Sequence, residues 1–307
     1  MGDRRPLVPV LVGPTASGKT AVAVALSEFL PITVISADSR QVYKGLDIGT
    51  AKPTREERER VQHLGIDVVA PGERYSAGRY ARDAVGWMGE VGADRLPLVV
   101  GGTGFYVQAL ADGLFREPPI PRDRRDSLRE WMRDREGMGR WAARLDPGYT
   151  GGGRQRASRA VEVALLTGRS LSWWQKTAKT EGIMRPWFIR LTLPRATLYT
   201  RIANRTRAMI GMGLVDEVRG LLESGIPGDA PGLDAVGYRE VVRVLDGRMP
   251  AGDLEGAIVT ATRQYSKRQQ TWFRHQLIGR PVVPLDATDT PRTLARRIAE
   301  LWTERGH

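Results

Sequence analysis

The chain has 307 residues, 41% of them hydrophobic, which predicts a large core with one full domain and an insertion or second small domain. It contains no cysteine, which excludes a disulfide framework and a zinc site built on thiolates. Lysine and arginine total 47 residues against 35 aspartates and glutamates, and the net charge of +12 favours a polyanionic partner such as a nucleic acid.

A phosphate-binding loop follows the first predicted strand, residues 8–12. The sequence from Val8 to Thr20 reads VPVLVGPTASGKT and contains the Walker A pattern GxxxxGK[ST]. Its glycines let backbone N–H groups face phosphate oxygens, Lys19 supplies positive charge, and the Thr20 hydroxyl can bind Mg²⁺. A chance glycine turn before a helix is the alternative. The pattern predicts phosphate contacts from Gly13, Pro14, Thr15, Ala16, Ser17, Gly18, Lys19 and Thr20.

Strands and helices alternate through the first third of the chain. Apolar runs predict strands at residues 8–12, 32–36 and 98–100, with a helix between the first two. The alternation predicts an α/β fold: a P-loop, nucleotide-kinase-like parallel sheet flanked by helices. Ligands bind at the carboxyl ends of such strands. The P-loop, residues 37–40 and residues 101–103 are therefore predicted to converge on one crevice.

The chain changes character after Leu114. Prolines are followed by arginine-rich helical stretches, which predict a mainly helical insertion domain. A strand at residues 187–193 then returns to the sheet. The predicted segments are a first part of the core at 1–117, the insertion at 118–186, and a second part of the core with a basic C-terminal helix at 187–307.

The basic helix has no acidic residue between Gly256 and Leu285. Arg263, Lys267 and Arg274 are spaced by four and seven residues, which places them on one helical face. A stripe that grips nucleic-acid phosphates is one interpretation, and a solvated surface face is the other.

Six further segments distinguish this chain from a generic P-loop kinase. In chain order they are ISADSRQVYKGLDIGTAKP, YSAGRYARDA, LVVGGTGFYVQALADG, SRAVEVALLTGRSLS, DAVGYRE and ATRQYSKRQQTWFR. Together with the P-loop they resemble the tRNA dimethylallyltransferase family, over about residues 8–274. Residues 149–156 depart from the family pattern: they read YTGGGRQR where many members carry a Pro-Asn-Asp turn, and the three glycines predict a more mobile loop.

The resemblance implies an enzyme that transfers a dimethylallyl group to N6 of the adenosine just 3′ of the anticodon in tRNA. The implied partners are dimethylallyl diphosphate and the tRNA anticodon stem-loop, with Mg²⁺ as cofactor and a monomer as the expected state. The loop would hold the diphosphate, and its use as an ATP-binding, nucleotide-binding site stays open. Neither a signal peptide nor an apolar run of about 18 residues is present, so we expect a cytoplasmic protein with no membrane partner.

The resemblance also assigns roles at the strand ends. Asp38 is the base that accepts a hydrogen bond from the N6 amine, and Thr103 lies near that amine or the bridging oxygen. Arg205 faces the departing diphosphate. The alternatives are a Mg²⁺ ligand or helix N-cap for Asp38, a helix cap for Thr103, and a solvated charge for Arg205, which lies near Arg201 and Arg207.

Contacts with tRNA are implied for four segments and two single residues, some of which hold the flipped adenosine and others the stem. They are Asp38, Ser39, Arg40, Gln41, Thr103, Arg125, Gln155, Arg156, Ala157, Ser158, Arg159, Asp234, Ala235, Val236, Gly237, Tyr238, Arg239, Lys267, Arg268, Gln269, Gln270, Thr271, Trp272, Phe273 and Arg274. Two other functions fit the P-loop. An ATP-dependent small-molecule kinase would not need the basic aromatic helix, and a non-catalytic RNA-binding NTPase would not need Asp38 and Thr103.

Overall fold

A parallel sheet organises the part of the chain that the computed structural model describes, residues 3–116 and 118–306. Its strands are β1 (Leu7–Val12), β2 (Ile32–Ser36), β3 (His63–Leu64), β4 (Leu96–Gly101), β5 (Arg185–Thr192) and β6 (Val282–Asp286). Their order across the sheet is β3-β2-β4-β1-β5-β6, and every neighbouring pair is parallel. β1 is central, with Val10 opposite Val99 of β4 and Phe188 of β5. The predicted parallel sheet is confirmed.

Helices flank this sheet, as the alternation of apolar strands and helical stretches predicts. The helices of the described residues, including those outside the unit that contains the sheet, are α1 (Lys19–Leu26), α2 (Arg55–Arg60), α3 (Ala77–Glu90), α4 (Gly104–Asp112), α5 (Arg122–Arg133), α6 (Met138–Leu145), α7 (Arg154–Thr167), α8 (Leu171–Thr177), α9 (Arg195–Gly211), α10 (Leu214–Glu223), α11 (Tyr238–Leu245), α12 (Leu254–Gln276) and α13 (Pro291–Thr303). A short 3₁₀ turn, Ala251–Asp253, leads into α12. None of these helices is both long and apolar enough to cross a lipid bilayer.

The first and last helices pack against one face of the sheet. Leu11 of β1 and Trp187 of β5 lie in the same buried cluster as Leu26 of α1 and Trp302 of α13. The two tryptophan rings are 5.5 Å apart. β2 is buried along its whole length, because helices cover both faces of a parallel sheet and each face must therefore be apolar.

Two compact units make up the described chain. Residues 3–111 and 183–306 form the unit with the sheet, and residues 112–182 form a helical unit. The sequence places the insertion at residues 118–186, whereas β5 already begins at Arg185, where it pairs with Leu7. Residue 117, the end of the predicted first segment, lies outside the described residues. The three segment limits stay predictions.

The helical unit has its own small core, which contains Met132 of α5, Ala142 of α6 and Val161 of α7. Its glycine-rich loop precedes α7, and Gly152 adopts a φ of +137° that side chains rarely tolerate. Arg154, the first residue of α7, donates hydrogen bonds of 2.7 and 2.9 Å to carbonyl oxygens of Met132 and Arg135. The last carbonyls of a helix lack partners within it, so Arg154 ties the start of α7 to the end of α5.

Candidate active site at the strand ends

The P-loop joins β1 to α1. At one position its backbone has a conformation that only glycine adopts easily. Gly18 has a φ of +88° and stands directly before the first residue of α1. The side chain of Ser17 is buried, and its hydroxyl has no hydrogen-bond partner within the described residues. A Cβ on Gly13 would lie 2.8 Å from that hydroxyl oxygen. The loop therefore brings an unsatisfied hydroxyl and the start of a helix together, a combination suited to phosphate oxygens.

Lys19 lies over this loop. Its Nζ donates hydrogen bonds of 3.0 and 2.9 Å to the carbonyl oxygens of Gly13 and Pro14. The pKa of Lys19 is lowered to about 8, chiefly by burial; the carboxylate of Asp38 opposes this shift, and the positive charge of Arg205 contributes to it. The amine is thus a cation near neutral pH that loses its charge at moderately alkaline pH.

Three arginines of α9, Arg201, Arg205 and Arg207, occupy different surroundings. Arg205 interacts electrostatically with Lys19 and Asp38, and it makes no hydrogen bond or ion pair with another described residue. Burial lowers its pKa, and Asp38 opposes the shift. Arg201 instead donates a 2.8 Å hydrogen bond to the carbonyl oxygen of Ala287. Arg207 forms a 3.0 Å ion pair at the surface with Glu255. Of the three, Arg205 is the one that interacts with both Lys19 and Asp38.

The ends of β2 and β4 are held together by backbone and hydroxyl hydrogen bonds. Thr103 donates its N–H to the carbonyl oxygen of Ala37 at 3.1 Å, and its Oγ1 accepts the N–H of Ser39 at 2.9 Å. A Cβ on Gly101 would overlap the Ala37 carbonyl, so only glycine permits this approach. The hydroxyl of Thr103 is also hydrogen-bonded to Tyr265 of α12 and to the Ser39 hydroxyl. These bonds use the hydroxyl that would otherwise be available to cap α4.

Asp38 interacts electrostatically with two cations and with several tyrosines. Its Oδ1 accepts the backbone N–H of Arg40 at 2.8 Å, and the next helix begins only at Arg55, so Asp38 does not cap a helix. Burial first, and the nearby Asp38 charge second, raise the pKa of Tyr265 to about 12. The same two causes contribute to a raised pKa for Tyr80. The carboxylate thus interacts electrostatically with the cations Lys19 and Arg205 and with the hydroxyls of Tyr265 and Tyr80.

The predicted tRNA residues of α12 fall into two groups. Gln269 and Phe273 are buried and Trp272 is partly buried. The exposed members are Lys267, Arg268, Gln270, Thr271 and Arg274. Arg263, which the spacing places on the same face as Lys267, instead packs 4.6 Å over the ring of Tyr199.

Other predicted tRNA residues of the sheet unit lie in the loop after β2 or in the segment at residues 234–239. Arg40 donates a 3.0 Å hydrogen bond to the carbonyl oxygen of Pro231 and lies 3.9 Å from Asp234. Gln41 is bonded to the hydroxyl of Ser36 and the carbonyl of Ala51. Within the predicted segment at residues 235–239, Ala235, Gly237 and Tyr238 are buried, Val236 is partly buried and Arg239 is exposed.

Glu217, which the sequence analysis missed, stabilises the loop around residues 47–49 through hydrogen bonds. Glu217 of α10 accepts the backbone N–H groups of Asp47 and Ile48 at 3.0 and 2.8 Å. It also accepts the hydroxyl of Tyr238 at 2.5 Å, and that hydroxyl accepts the N–H of Gly49 at 3.1 Å. The buried Tyr238 therefore supports the loop through these hydrogen bonds, and its contact with tRNA stays a prediction.

The helical unit holds the remaining predicted tRNA residues on α5 and α7. Gln155 and Arg156 are exposed, Ala157 is buried, and Ser158 is partly buried. Arg125 and Arg159 lie 3.8 and 2.5 Å from Glu162, which is buried and also binds Arg129 at 2.7 Å. The sequence analysis missed Glu162, although a lone glutamate in the apolar stretch AVEVALL is the kind of signal that indicates a paired buried charge.

A divalent metal would need ligands beyond the protein's own carboxylates. No group of three or more histidine, aspartate and glutamate side chains within the described ranges could hold a metal ion. Thr20 is partly buried in the first turn of α1. Its hydroxyl and the carboxylate of Asp38 are oxygen donors of the kind that Mg²⁺ uses with substrate phosphates and water.

Comparisons with known proteins match almost the whole chain. A family model described as IPP transferase matches residues 41–276, and one described as isopentenyl transferase matches residues 6–68. A tRNA dimethylallyltransferase of Thermotoga petrophila is 40% identical over 87% of this chain and 89% of its own length.

Solved structures are also similar. A tRNA isopentenylpyrophosphate transferase of Bacillus halodurans has a TM-score of 0.72 and 33% identity, covering 98% of this chain and 96% of its own. A eukaryotic dimethylallyltransferase, described as acting on tRNA, has a TM-score of 0.77 and 26% identity, covering 92% of this chain and 74% of its own. Both likenesses cover more than nine-tenths of this chain.

Proposed function

Because this chain belongs to the IPP transferase family, we propose that it transfers a dimethylallyl group from dimethylallyl diphosphate to N6 of the adenosine 3′ of the anticodon in tRNA. Relatives named tRNA dimethylallyltransferase support this activity. One observation of this chain carries the proposal: Lys19, which is hydrogen-bonded to P-loop carbonyls, interacts electrostatically with Arg205, and both cations interact with the carboxylate of Asp38. A prenyl transfer from a diphosphate to an amine needs these charges together.

The cations and the carboxylate have different roles in the reaction. The N6 nitrogen attacks the allylic carbon, the bond from this carbon to the bridging oxygen breaks, and pyrophosphate leaves with both electrons. Lys19, Arg205 and the N–H groups of the P-loop bind the leaving group and stabilise the negative charge that develops on it. Asp38 accepts the N6 proton, which makes the delocalised amine a better nucleophile. Thr103, tied to Ser39, orients the amine or the bridging oxygen.

Mg²⁺ is a further part of the proposal. Thr20 and, through water, Asp38 would hold the ion beside the diphosphate. Bound Mg²⁺ would neutralise part of the negative charge on the leaving group. The set of hydroxyl and carboxylate oxygens fits this ion, because Mg²⁺ is usually bound by one or two protein oxygens, phosphates and water.

A single assay separates this function from its alternatives. Purified protein, unmodified tRNA and dimethylallyl diphosphate should give isoprenylated tRNA without ATP. A tRNA that lacks adenosine 3′ of the anticodon serves as the matched control and should stay unmodified. Phosphorylation of a small molecule by ATP, with the prenyl donor ignored, would instead establish a kinase. Binding of tRNA with ATP hydrolysis but without transfer would establish an RNA-binding NTPase.

Replacing Arg205 should slow the reaction more than replacing its neighbour on α9. We expect Arg205→Met to lower kcat/KM for dimethylallyl diphosphate about 10-fold to 100-fold, since a hydrogen bond to a charged group contributes about 1.5–3 kcal/mol. Arg207→Met is the control, because Arg207 pairs with Glu255 at the surface. Steady-state kinetics with varied donor and saturating tRNA measures both. Equal losses in the two variants would contradict the placement of Arg205 at the diphosphate.

Binding of tRNA should weaken steeply with salt. Each phosphate contact on duplex regions contributes a slope of about −0.9 in a plot of log affinity against log salt concentration. We expect Lys267→Met and Arg274→Met each to reduce the magnitude of the slope by about 1. Arg296→Met, which removes an exposed charge on α13, should leave it unchanged. A flat salt dependence of the unmodified protein would contradict the role of the exposed basic residues of α12.

A further inference from the structure

One side of α12 contacts the loops at the strand ends. Tyr265, Gln269 and Trp272 are spaced by four and three residues, which places them on one side of the helix. Tyr265 is hydrogen-bonded to Thr103. Trp272 packs against Gly104 so closely that a Cβ on this glycine would overlap the indole ring. We call these three residues the inner stripe of α12.

Gln269, the centre of the inner stripe, binds two loops at once. Its Oε1 accepts the backbone N–H of Thr15 in the P-loop at 2.8 Å. Its Nε2 donates to the carbonyl oxygen of Gly102 at 3.0 Å. Gly102 stands directly before Thr103, and a Cβ at Gly102 would overlap the Gln269 amide. One side-chain amide therefore connects the P-loop to the segment that carries Thr103.

This geometry leaves Gln269 poorly placed for contact with tRNA. The side chain is 5% exposed, and both ends of its amide are hydrogen-bonded to backbone groups. An RNA contact would require the amide to leave Thr15 and Gly102, and their buried polar groups would then lack partners. The neighbouring exposed residues Lys267 and Arg268 are better placed to reach phosphates.

We propose that Gln269 is a positioning residue that sets the P-loop and Thr103 at the separation the prenyl transfer needs. This inference rests on the proposed function, in which the P-loop holds the prenyl donor and Thr103 lies on the side of the acceptor amine. A transfer between two substrates is sensitive to their relative placement, and an error of about 1 Å can lower the rate about 10²-fold. Gln269 thus acts through the two loops and touches neither substrate.

The first test compares two glutamines of the same helix. Gln269→Met keeps the size of the side chain and removes both hydrogen bonds. Gln264→Met is the matched control, because Gln264 is exposed on α12 and belongs to no site described above. At saturating tRNA and dimethylallyl diphosphate, the single-turnover rate of Gln269→Met should fall about 10-fold to 100-fold. Its affinity for tRNA should match that of the Gln264→Met control.

A second variant gives a readout that loss of folding cannot imitate. In Gln269→Glu a protonated carboxyl can accept the N–H of Thr15 and donate to the carbonyl of Gly102, whereas the ionised form can only accept. Burial raises the pKa of such a carboxyl, so the neutral form gains population as the pH falls from about 8.5 to about 6. The rate of Gln269→Glu, divided by that of the unmodified protein at each pH, should therefore rise towards acid pH. The same ratio for Gln269→Met should stay flat.

The outcomes separate this inference from the proposed function. If the unmodified protein does not prenylate tRNA, the proposed function fails. If it does, and Gln269→Met matches Gln264→Met in rate, the positioning role is overturned. A Gln269→Met variant that loses tRNA affinity but keeps its rate at saturating tRNA would also overturn it, and would make Gln269 a tRNA contact. Thermal unfolding of each variant shows whether the fold is intact, and a flat pH ratio for folded Gln269→Glu contradicts the inference.

Discussion

Asp38→Asn should lower the single-turnover rate of prenyl transfer about 10²-fold to 10⁴-fold, the usual contribution of a positioned base. Asparagine keeps the shape and the oxygen that accepts the N–H of Arg40, but it cannot take the N6 proton. Affinity for the diphosphate should stay the same or tighten, because a negative charge beside the anionic donor is lost. The rate is measured with tRNA and dimethylallyl diphosphate both saturating.

A Mg²⁺ titration distinguishes the base from a metal ligand. If Asp38 chiefly holds the ion, Asp38→Asn should need much more Mg²⁺ and should recover its rate when the metal is supplied. Full recovery would therefore rule out the assignment of Asp38 as base, and a loss at every Mg²⁺ concentration would support it. Asp229→Asn, which changes an exposed aspartate elsewhere in the sheet unit, controls for the loss of one negative charge.

Lys19→Met should lower the rate about 10²-fold to 10³-fold, because it removes a cation that stabilises the leaving pyrophosphate. Affinity for tRNA should be nearly intact, since the amine lies over the P-loop carbonyls. Single-turnover kinetics and a tRNA binding assay measure the two effects. The exposed Lys44 supplies the control variant, Lys44→Met. If Lys19→Met lost tRNA binding instead, the diphosphate assignment of the loop would be wrong.

The pH dependence of diphosphate binding to the unmodified protein gives a second test of Lys19. Burial lowers its pKa to about 8, so the free protein loses this positive charge as the pH rises through that value. A diphosphate favours the charged amine, and its affinity should therefore decline between about pH 7 and about pH 9. The Lys19→Met variant should lack this decline. A variant with the same pH dependence as the unmodified protein would show that another group titrates.

The sheet and the crevice could be predicted from the sequence because both follow from short-range patterns. Buried apolar runs such as residues 32–36 indicate parallel strands, and parallel strands end at the same edge. That rule is sufficient to predict that the P-loop, Asp38 and Thr103 lie near one another. The specific bond from Thr103 to Ser39 was not predicted, since it depends on how closely Gly101 lets the two backbones approach.

The side of α12 that faces the loops could not be read from its basic residues. Spacing places Arg263 with Lys267, but the packing of α9 decides that Arg263 covers Tyr199. Gln269 carries no charge and no unusual spacing, so nothing local indicates that its amide joins Thr15 to Gly102. Such long-range pairs are set by tertiary packing, which periodicity does not describe.

The strand order has a consequence for how the protein is made. β1 pairs on one side with β4 and on the other with β5, which begins only at Arg185, after the whole helical unit. While the ribosome extends the chain, one edge of the most central apolar strand has no partner until that unit has emerged. The cluster that includes Leu26 is completed later still, by Trp302 of α13. Open strand edges promote aggregation, so we expect the nascent chain to need chaperones most before β5 appears.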